Sequence, residues 1–228
     1  MITLYMATIK LVVEYLGTNY HGFQRQDNVN TIQSELESAL SKVFKQQITI
    51  VASGRTDTGV HAKGQVCSFQ VESATFDVYK SVQSINSFLP SDIAVKDLRV
   101  VSDDFHARYS AKSKTYIYKC YVSQFRSPLR DATHLQLYKA PNIEQARKDA
   151  AKLVGTHNFS DYCLSRSKKE NNVRTITELK VTECDDEIHF EISADGFLHG
   201  MVRIIVGKLL GLGKTAPANG LCLDKVEY

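Results

Sequence analysis

The most constraining feature of this 228-residue sequence is the order in which its hydrophobic periods change. Ile9, Leu11, Val13 and Tyr15 alternate with Thr8, Lys10, Val12 and Glu14, a period of two that predicts a strand with one buried face. After a Gly- and Asn-bearing connection, Thr31 is placed to cap a helix in which Ile32, Leu36, Ala39, Leu40 and Val43 recur at helical spacing. A short strand through Ile48 and Ile50 follows and runs into a polar, glycine-punctuated loop from Ser53 to Gly64. Next come a strand from Gln65 to Val71, a helix carrying Val78, Val82 and Ile85 that Pro90 stops, and a strand from Ile93 to Val101. The order β-α-β-β-α-β is that of the split ferredoxin-like unit.

The rest of the chain runs through the same order again. It has a strand at Thr115–Val122, a helix at Ile143–Leu153 closed by Gly155, a weaker strand at Phe159–Cys163 and a strand at Val173–Cys184. A strand at Glu187–Ala194, a helix at Phe197–Leu212 and a last strand at Leu221–Tyr228 complete it. The repeat is architectural, with no sequence identity between the halves. The expected fold is therefore α+β, with two ferredoxin-like halves of residues 1–102 and 103–228 and no low-complexity linker between them.

Composition narrows the function classes. Apolar residues make up 43% and charged residues 23%, as in an ordinary globular chain rather than a disordered one. The net charge of +3 is a weak pointer to an anionic partner, so any RNA-binding surface has to come from basic residues gathered by the fold. Five widely spaced cysteines, Cys67, Cys120, Cys163, Cys184 and Cys222, form no CxxC pair, which argues against a disulfide framework or a zinc site and for a reducing cytosol. The opening MITLYMATIKLVVEYLG is broken by Lys10 and Glu14 and does not read as a signal peptide, and no stretch approaches the about 20 apolar residues of a membrane span.

Three segments could carry chemistry. The first is Gly54-Arg55-Thr56-Asp57-Thr58-Gly59-Val60-His61-Ala62, on a loop between strands. It is either a tight turn whose Asp57 and Thr58 bond their own backbone, or a site in which Arg55 keeps Asp57 ionised as a nucleophile or base. The second is Gly196–Arg203, where Arg203 stands at the start of an otherwise apolar helix; it is either a snorkelling edge residue or a charge with a partner. In the third, Lys114–Tyr118, Tyr116 and Tyr118 share one strand face, a pattern more common in cores than in sites.

These segments resemble the TruA family of tRNA pseudouridine synthases over nearly the whole chain. The carrying blocks are GRTDTGVHA around Asp57, Glu14–Gly17 with Tyr20–Gln26, Asp104–Arg108, Tyr116–Tyr118, Phe197–Arg203 and Pro217–Leu221. The resemblance implies two ferredoxin-like halves sharing a mixed, mainly antiparallel sheet, a homodimer, a cytoplasmic location, and conversion of uridine to pseudouridine at positions 38, 39 and 40 of the tRNA anticodon stem-loop. It implies no metal, nucleotide or organic cofactor. Asp57 matches the catalytic carboxylate, Arg55 and Arg203 the arginines that partner it, and Tyr116 the tyrosine that packs on the target base. A stacked uridine has to be flipped out to meet a carboxylate, at a few kcal/mol, which aromatic packing and phosphate contacts offset. His61, Arg25, Tyr118, Arg166 and Lys168 are the further candidate substrate contacts.

The sequence departs from the family pattern at Leu16, where Asp is usual, and at Phe23, where Trp is usual. Gly211–Lys214 also runs directly into Thr215-Ala216-Pro217, where relatives insert a polar helical segment, which makes this a shortened member. The basic stretch Ser165–Asn172, with Arg166 and Lys168, is a solvated hairpin loop or a phosphate contact. Two rivals remain. A DTG-type aspartic protease would need paired aspartates sharing a proton, which Arg55 opposes. A non-catalytic RNA-binding module on a ferredoxin-like sheet would be expected to carry the RNP aromatic motif, which is absent.

Overall fold

The structure is a computed structural model that describes residues 5–73, 77–164 and 171–228. It divides into two compact units, one of residues up to Ala111 together with Tyr228, the other of Lys112–Glu227.

In the first unit, β1 (Tyr5–Tyr15), α1 (Ile32–Phe44), β2 (Val51–Ala52), β3 (His61–Ser73), α2 (Val78–Phe88) and β4 (Ile93–Val101) follow in the expected order. The strands lie antiparallel in the spatial order β4-β1-β3-β2. Alternation on β1 buries Ile9, Leu11, Val13 and Tyr15, and the facing strands add Cys67, Phe69, Val71, Val95 and Leu98. Leu36 and Leu40 of α1 and Ile85 of α2 are also completely buried. Burying each such side chain contributes about 1.5–3 kcal/mol, which is why the period of the apolar residues dictates the element order. Thr31 caps α1 as predicted, in a capping box with Ser34.

In the second unit, β5 (Ser113–Val122), β6 (Leu135–Leu137), α3 (Ile143–Ala151), β7 (Gly155–Asn158), β8 (Val173–Cys184), β9 (Glu187–Ala194), α4 (Met201–Leu209) and β10 (Leu221–Glu227) follow one another. Its antiparallel order β10-β5-β9-β8 reproduces that of the first unit, with β7 added beyond β8 and β6 paired in parallel to β5. The architectural repeat seen in the sequence is thus present as the same strand order in both units.

Several boundaries differ from the sequence reading. Ile48 and Ile50 are buried but lie outside any strand, because their amides donate to α1 side chains, Ser41 Oγ at 3.0 Å and Glu37 Oε1 at 3.0 Å, instead of a ladder. The polar loop ends at Val60, since β3 begins at His61 and pairs Ala62 with Tyr15 past a register shift. Phe159–Cys163 is not a strand: Tyr162 N donates to Phe159 O at 2.9 Å and tightens Ser160–Tyr162 into a single helical turn over the buried Phe159 ring. The strand there is β7, and Gly155 opens it rather than closing α3, which ends at Ala151. The last helix begins only at Met201, because Gly200 stands at φ +71°.

Glu37 shows what holds α1 against the segment before β2. Its carboxylate, 7% exposed, accepts from Ile50 N at 3.0 Å, Gln33 Nε2 at 2.8 Å and Arg25 Nη1 at 2.9 Å. Glu37→Ala leaves the buried Ile50 amide without its acceptor and is expected to cost about 2–4 kcal/mol. Glu37→Gln keeps an acceptor and loses only the half-exposed ion pair with Arg25, at about 1 kcal/mol or less. Urea unfolding midpoints of the two variants check this; equal midpoints would remove the buried amide as the reason.

Candidate active site

The loop Ser53–Val60 is short, and every second or third residue of it is tied down. Ser53 N donates to Val66 O at 2.8 Å, and Ser53 Oγ donates to Gln65 Oε1 at 2.7 Å. Gln65 Nε2 in turn donates to Gly54 O at 2.9 Å. Thr56 is buried, with its Oγ1 2.8 Å from Tyr15 Oη and its carbonyl accepting from Phe23 N at 3.0 Å. Val60 N donates to Asp57 O at 3.1 Å and closes the turn. Ser53, Thr56 and Val60 face inward, whereas Arg55 and Thr58 are exposed and Asp57 is half-buried. The carboxylate and the guanidinium are therefore presented outward from backbone that the core holds on both sides, which is how a rigid scaffold fixes a reactive group.

The Gly17–Phe23 segment explains why the loop lies where it does. Gly17 N donates to His61 Nδ1 at 2.9 Å, which leaves the imidazole proton on Nε2. A Cβ on Gly17 would stand 2.0 Å from Val60 O, and one on Gly22, whose φ is +89°, would stand 3.0 Å from Thr56 O. Backbone packs on backbone here, so only glycine fits. Asp92, just before β4, anchors the same segment: it accepts from Tyr20 Oη at 2.5 Å and Asn19 Nδ2 at 3.2 Å, and its carbonyl from Leu16 N at 2.9 Å. Burial, with Asp92 adding to it, holds the Tyr20 hydroxyl well above its ordinary pKa, so it stays a donor.

The network around Gln65 was not read from the sequence, although a signal existed. Gln65, Cys67, Phe69 and Val71 share the inward face of β3, so a polar side chain sits at a core position and has to be hydrogen-bonded. Of the two departures, Phe23 is buried beside Tyr15, with ring centroids 6.2 Å apart, and Leu16 is 44% exposed.

The remaining candidates are distributed as follows. Tyr116, 8% exposed on β5, meets Phe197 edge to face with centroids 5.1 Å apart. Arg203 projects from α4 with its Nε donating to Ala216 O at 2.8 Å, while Ala216 N donates to Arg203 O at 3.0 Å. Residue 216 follows directly on the shortened tail, so the tail is strapped to α4 through this arginine. Tyr118 is fully buried and donates to Pro217 O at 2.9 Å; burial holds its hydroxyl above the ordinary tyrosine range against the opposing pull of Arg203. It serves the core of the second unit. His61 is likewise buried, while Arg25 is exposed and paired with Glu37. Arg55 and Asp57 share the loop of the first unit, and Tyr116 and Arg203 belong to the second. Arg166 and Lys168 lie outside the described residues. Among the described residues, His134, Glu187 and His189 offer ligand atoms within 4.8 Å of one another, and Glu187 there already faces Arg130 at 3.6 Å.

Residues 11–110 and 150–217 match the family described as tRNA pseudouridine synthase. The chain belongs to that family. As a member it is an isomerase that acts on tRNA, converting uridine to pseudouridine. It is 40% identical over 245 residues to the tRNA pseudouridine synthase A of Thermoanaerobacter sp. (strain X514), covering 98% of this chain and 100% of that one. Against the enzyme of the same name from Halalkalibacterium halodurans it is 43% identical over 239 residues, covering 95% and 90%. Both alignments are longer than the 228-residue chain, so these relatives carry positions that it lacks. Among solved structures, an archaeal box H/ACA Nop10-Cbf5 complex aligns at 12% identity over 95% of this chain and 46% of that one, with a TM-score of 0.38. The matched ranges include the Asp57 loop and Arg203 and leave out Tyr116. Among the described residues no helix of the synthase is long and apolar enough to cross a membrane.

Proposed function

We propose that the uridines isomerised are those at positions 38, 39 and 40 of the tRNA anticodon stem-loop, with Asp57 as the nucleophile. The observation that carries the nucleophile assignment is the Asp57 loop, with Arg55 exposed and Asp57 half-buried on backbone locked by Tyr15, Thr56, Ser53 and Gln65; the tRNA positions rest on the resemblance to the TruA family. A carboxylate on fixed backbone can add to a flipped-out nucleotide. Addition to the ribose and addition to the uracil ring start from the same carboxylate. The N-glycosidic bond breaks, the uracil turns, C5 bonds to C1′, and the bond to Asp57 breaks, which frees the carboxylate. The proton on C5 leaves, and N1 takes up a proton, so the product is an isomer of the substrate. Arg55, Tyr116 and Arg203 are the other catalytic residues in this reading, and no cofactor takes part. The protein works in the cytoplasm as a homodimer.

The test is tritium release from tRNA labelled at uracil C5, followed by mapping of the modified positions. Release with pseudouridine at 38, 39 or 40 is expected. Release with pseudouridine elsewhere would overturn the anticodon assignment and leave the isomerase activity standing. Sedimentation of the protein at micromolar concentration tests the dimer.

A further inference from the structure

Directly after β4 the chain forms a turn, residues 102–110, that has no part in the chemistry above. Its base is firmly anchored. Phe105 N donates to Ser102 O at 3.0 Å, and the fully buried Ala107 donates its amide to Ser68 Oγ at 3.2 Å. The Ala107 carbonyl accepts from Tyr228 Oη at 2.7 Å. The Phe105 ring lies 4.9 Å from that of Tyr228, and Lys10 Nζ sits 4.5 Å over the latter.

The tip is equally constrained. His106 N donates to Ser110 Oγ at 3.1 Å, and Ser110 N donates back to His106 O at 2.9 Å. His106 Nδ1 accepts from both Arg108 N and Tyr109 N at 3.2 Å, which leaves the imidazole proton on Nε2. On this frame Tyr109 stacks against the His106 ring, with centroids 4.4 Å apart and planes 29° from parallel. Even so, Tyr109 is 77% exposed, and the Arg108 guanidinium lies 5.7 Å from its ring centroid.

Such a tyrosine adds almost nothing to the core. The fold nonetheless fixes its orientation, stacks an imidazole against it, sets a guanidinium over the ring 5.7 Å from the centroid, and leaves most of the side chain to solvent. A pre-ordered aromatic with an adjacent arginine takes an unstacked nucleobase: every base has a π face to stack, and the guanidinium suits the neighbouring phosphate. Ordering before binding lowers the entropy lost on contact. A membrane or a peptide would call for a wider apolar surface than one ring. We propose that the His106–Tyr109 stack with Arg108 is a docking platform for an unstacked nucleotide of the tRNA, distinct from the Asp57 loop. This rests on tRNA being the substrate and not on which uridine is modified.

The chain contains no tryptophan, so Tyr109→Trp places a single indole on the platform. Its emission is expected to be quenched when unmodified tRNA saturates the protein, with Kd within about twofold of wild type. Tyr109→Ala is expected to weaken tRNA binding about tenfold, and the loss should appear in KM rather than in kcat. Arg108→Ala should flatten the salt dependence of binding by about one phosphate contact, whereas Tyr109→Ala should not. Because Tyr109 is exposed, none of these changes threatens folding. The platform is overturned if Tyr109→Ala binds tRNA within twofold of wild type, or if the indole emission is the same with and without saturating tRNA. A loss of dimer in Tyr109→Ala that accounts for the weaker binding would likewise overturn it and assign the ring to a second copy. If the wild type itself fails to bind tRNA, the functional reading falls. If wild type binds and modifies tRNA and Tyr109→Ala does so equally well, the platform alone falls.

Discussion

Replacing Asp57 with alanine or asparagine is expected to abolish tritium release while leaving tRNA binding and folding close to wild type. Asparagine matches aspartate in shape and hydrogen-bonding reach, but its amide is a poor nucleophile, so chemistry that needs the carboxylate cannot proceed through it. Losses of about 10⁴-fold or more follow removal of a nucleophile, whereas one hydrogen bond to a substrate contributes far less. The stability change should be small, because Asp57 is half-buried and its turn is closed through its backbone carbonyl and Val60 N, which both variants keep. Single-turnover rates, a tRNA Kd and a melting curve for each variant separate these effects. Near-wild-type turnover in either variant would exclude Asp57 as the nucleophile.

Gly17→Ala is expected to damage both stability and rate, although residue 17 carries no chemistry. The added methyl would lie 2.0 Å from the Val60 carbonyl oxygen and 2.8 Å from its carbon. Neither side can yield by changing a rotamer, because the contact is backbone to backbone. Gly17 is also tied through its amide to His61, and Val60 leads directly into β3. The strain therefore either breaks the turn around Gly17 or pushes the Asp57 loop off the core. Overpacking of this kind costs about 1–3 kcal/mol and occasionally more, and the upper end applies where both partners are backbone. A displacement of about 1 Å at a reacting group costs about 10²-fold in rate. The urea midpoint should fall and the single-turnover rate, measured where the variant is still folded, should fall with it. An unchanged midpoint would mean that the turn relaxes freely and does not hold the loop.

Hydrophobic period made the element order of both units legible in the sequence, and in space the order β4-β1-β3-β2 of the first unit recurs as β10-β5-β9-β8 in the second. The Asp57 loop was legible too, since polar residues punctuated by glycine between two apolar strands have few other uses. Boundaries were less accessible wherever side chains replaced ladder partners. Ile48 and Ile50 look like strand residues, yet their amides are claimed by Ser41 and Glu37 of the helix before them. Phe159 has the hydrophobicity of a strand residue, and a single turn buries it instead.

By itself the sequence determined which residues face inward, because burial free energy depends on residue type and period and hardly at all on distant partners. Through the same blocks it determined the family and the candidate nucleophile. Tertiary structure alone decided which groups hold that nucleophile still: Tyr15 on Thr56, Gln65 on Ser53 and Gly54, and Gly17 against Val60 and His61. It likewise took Tyr118 and His61 into the core and left Tyr109 exposed at the tip of a rigid turn. The pairings that hold the Asp57 loop join residues that are not neighbours in the chain. A hydrogen bond or a close backbone approach depends on distances of a few tenths of an ångström, which no local pattern of residue types specifies.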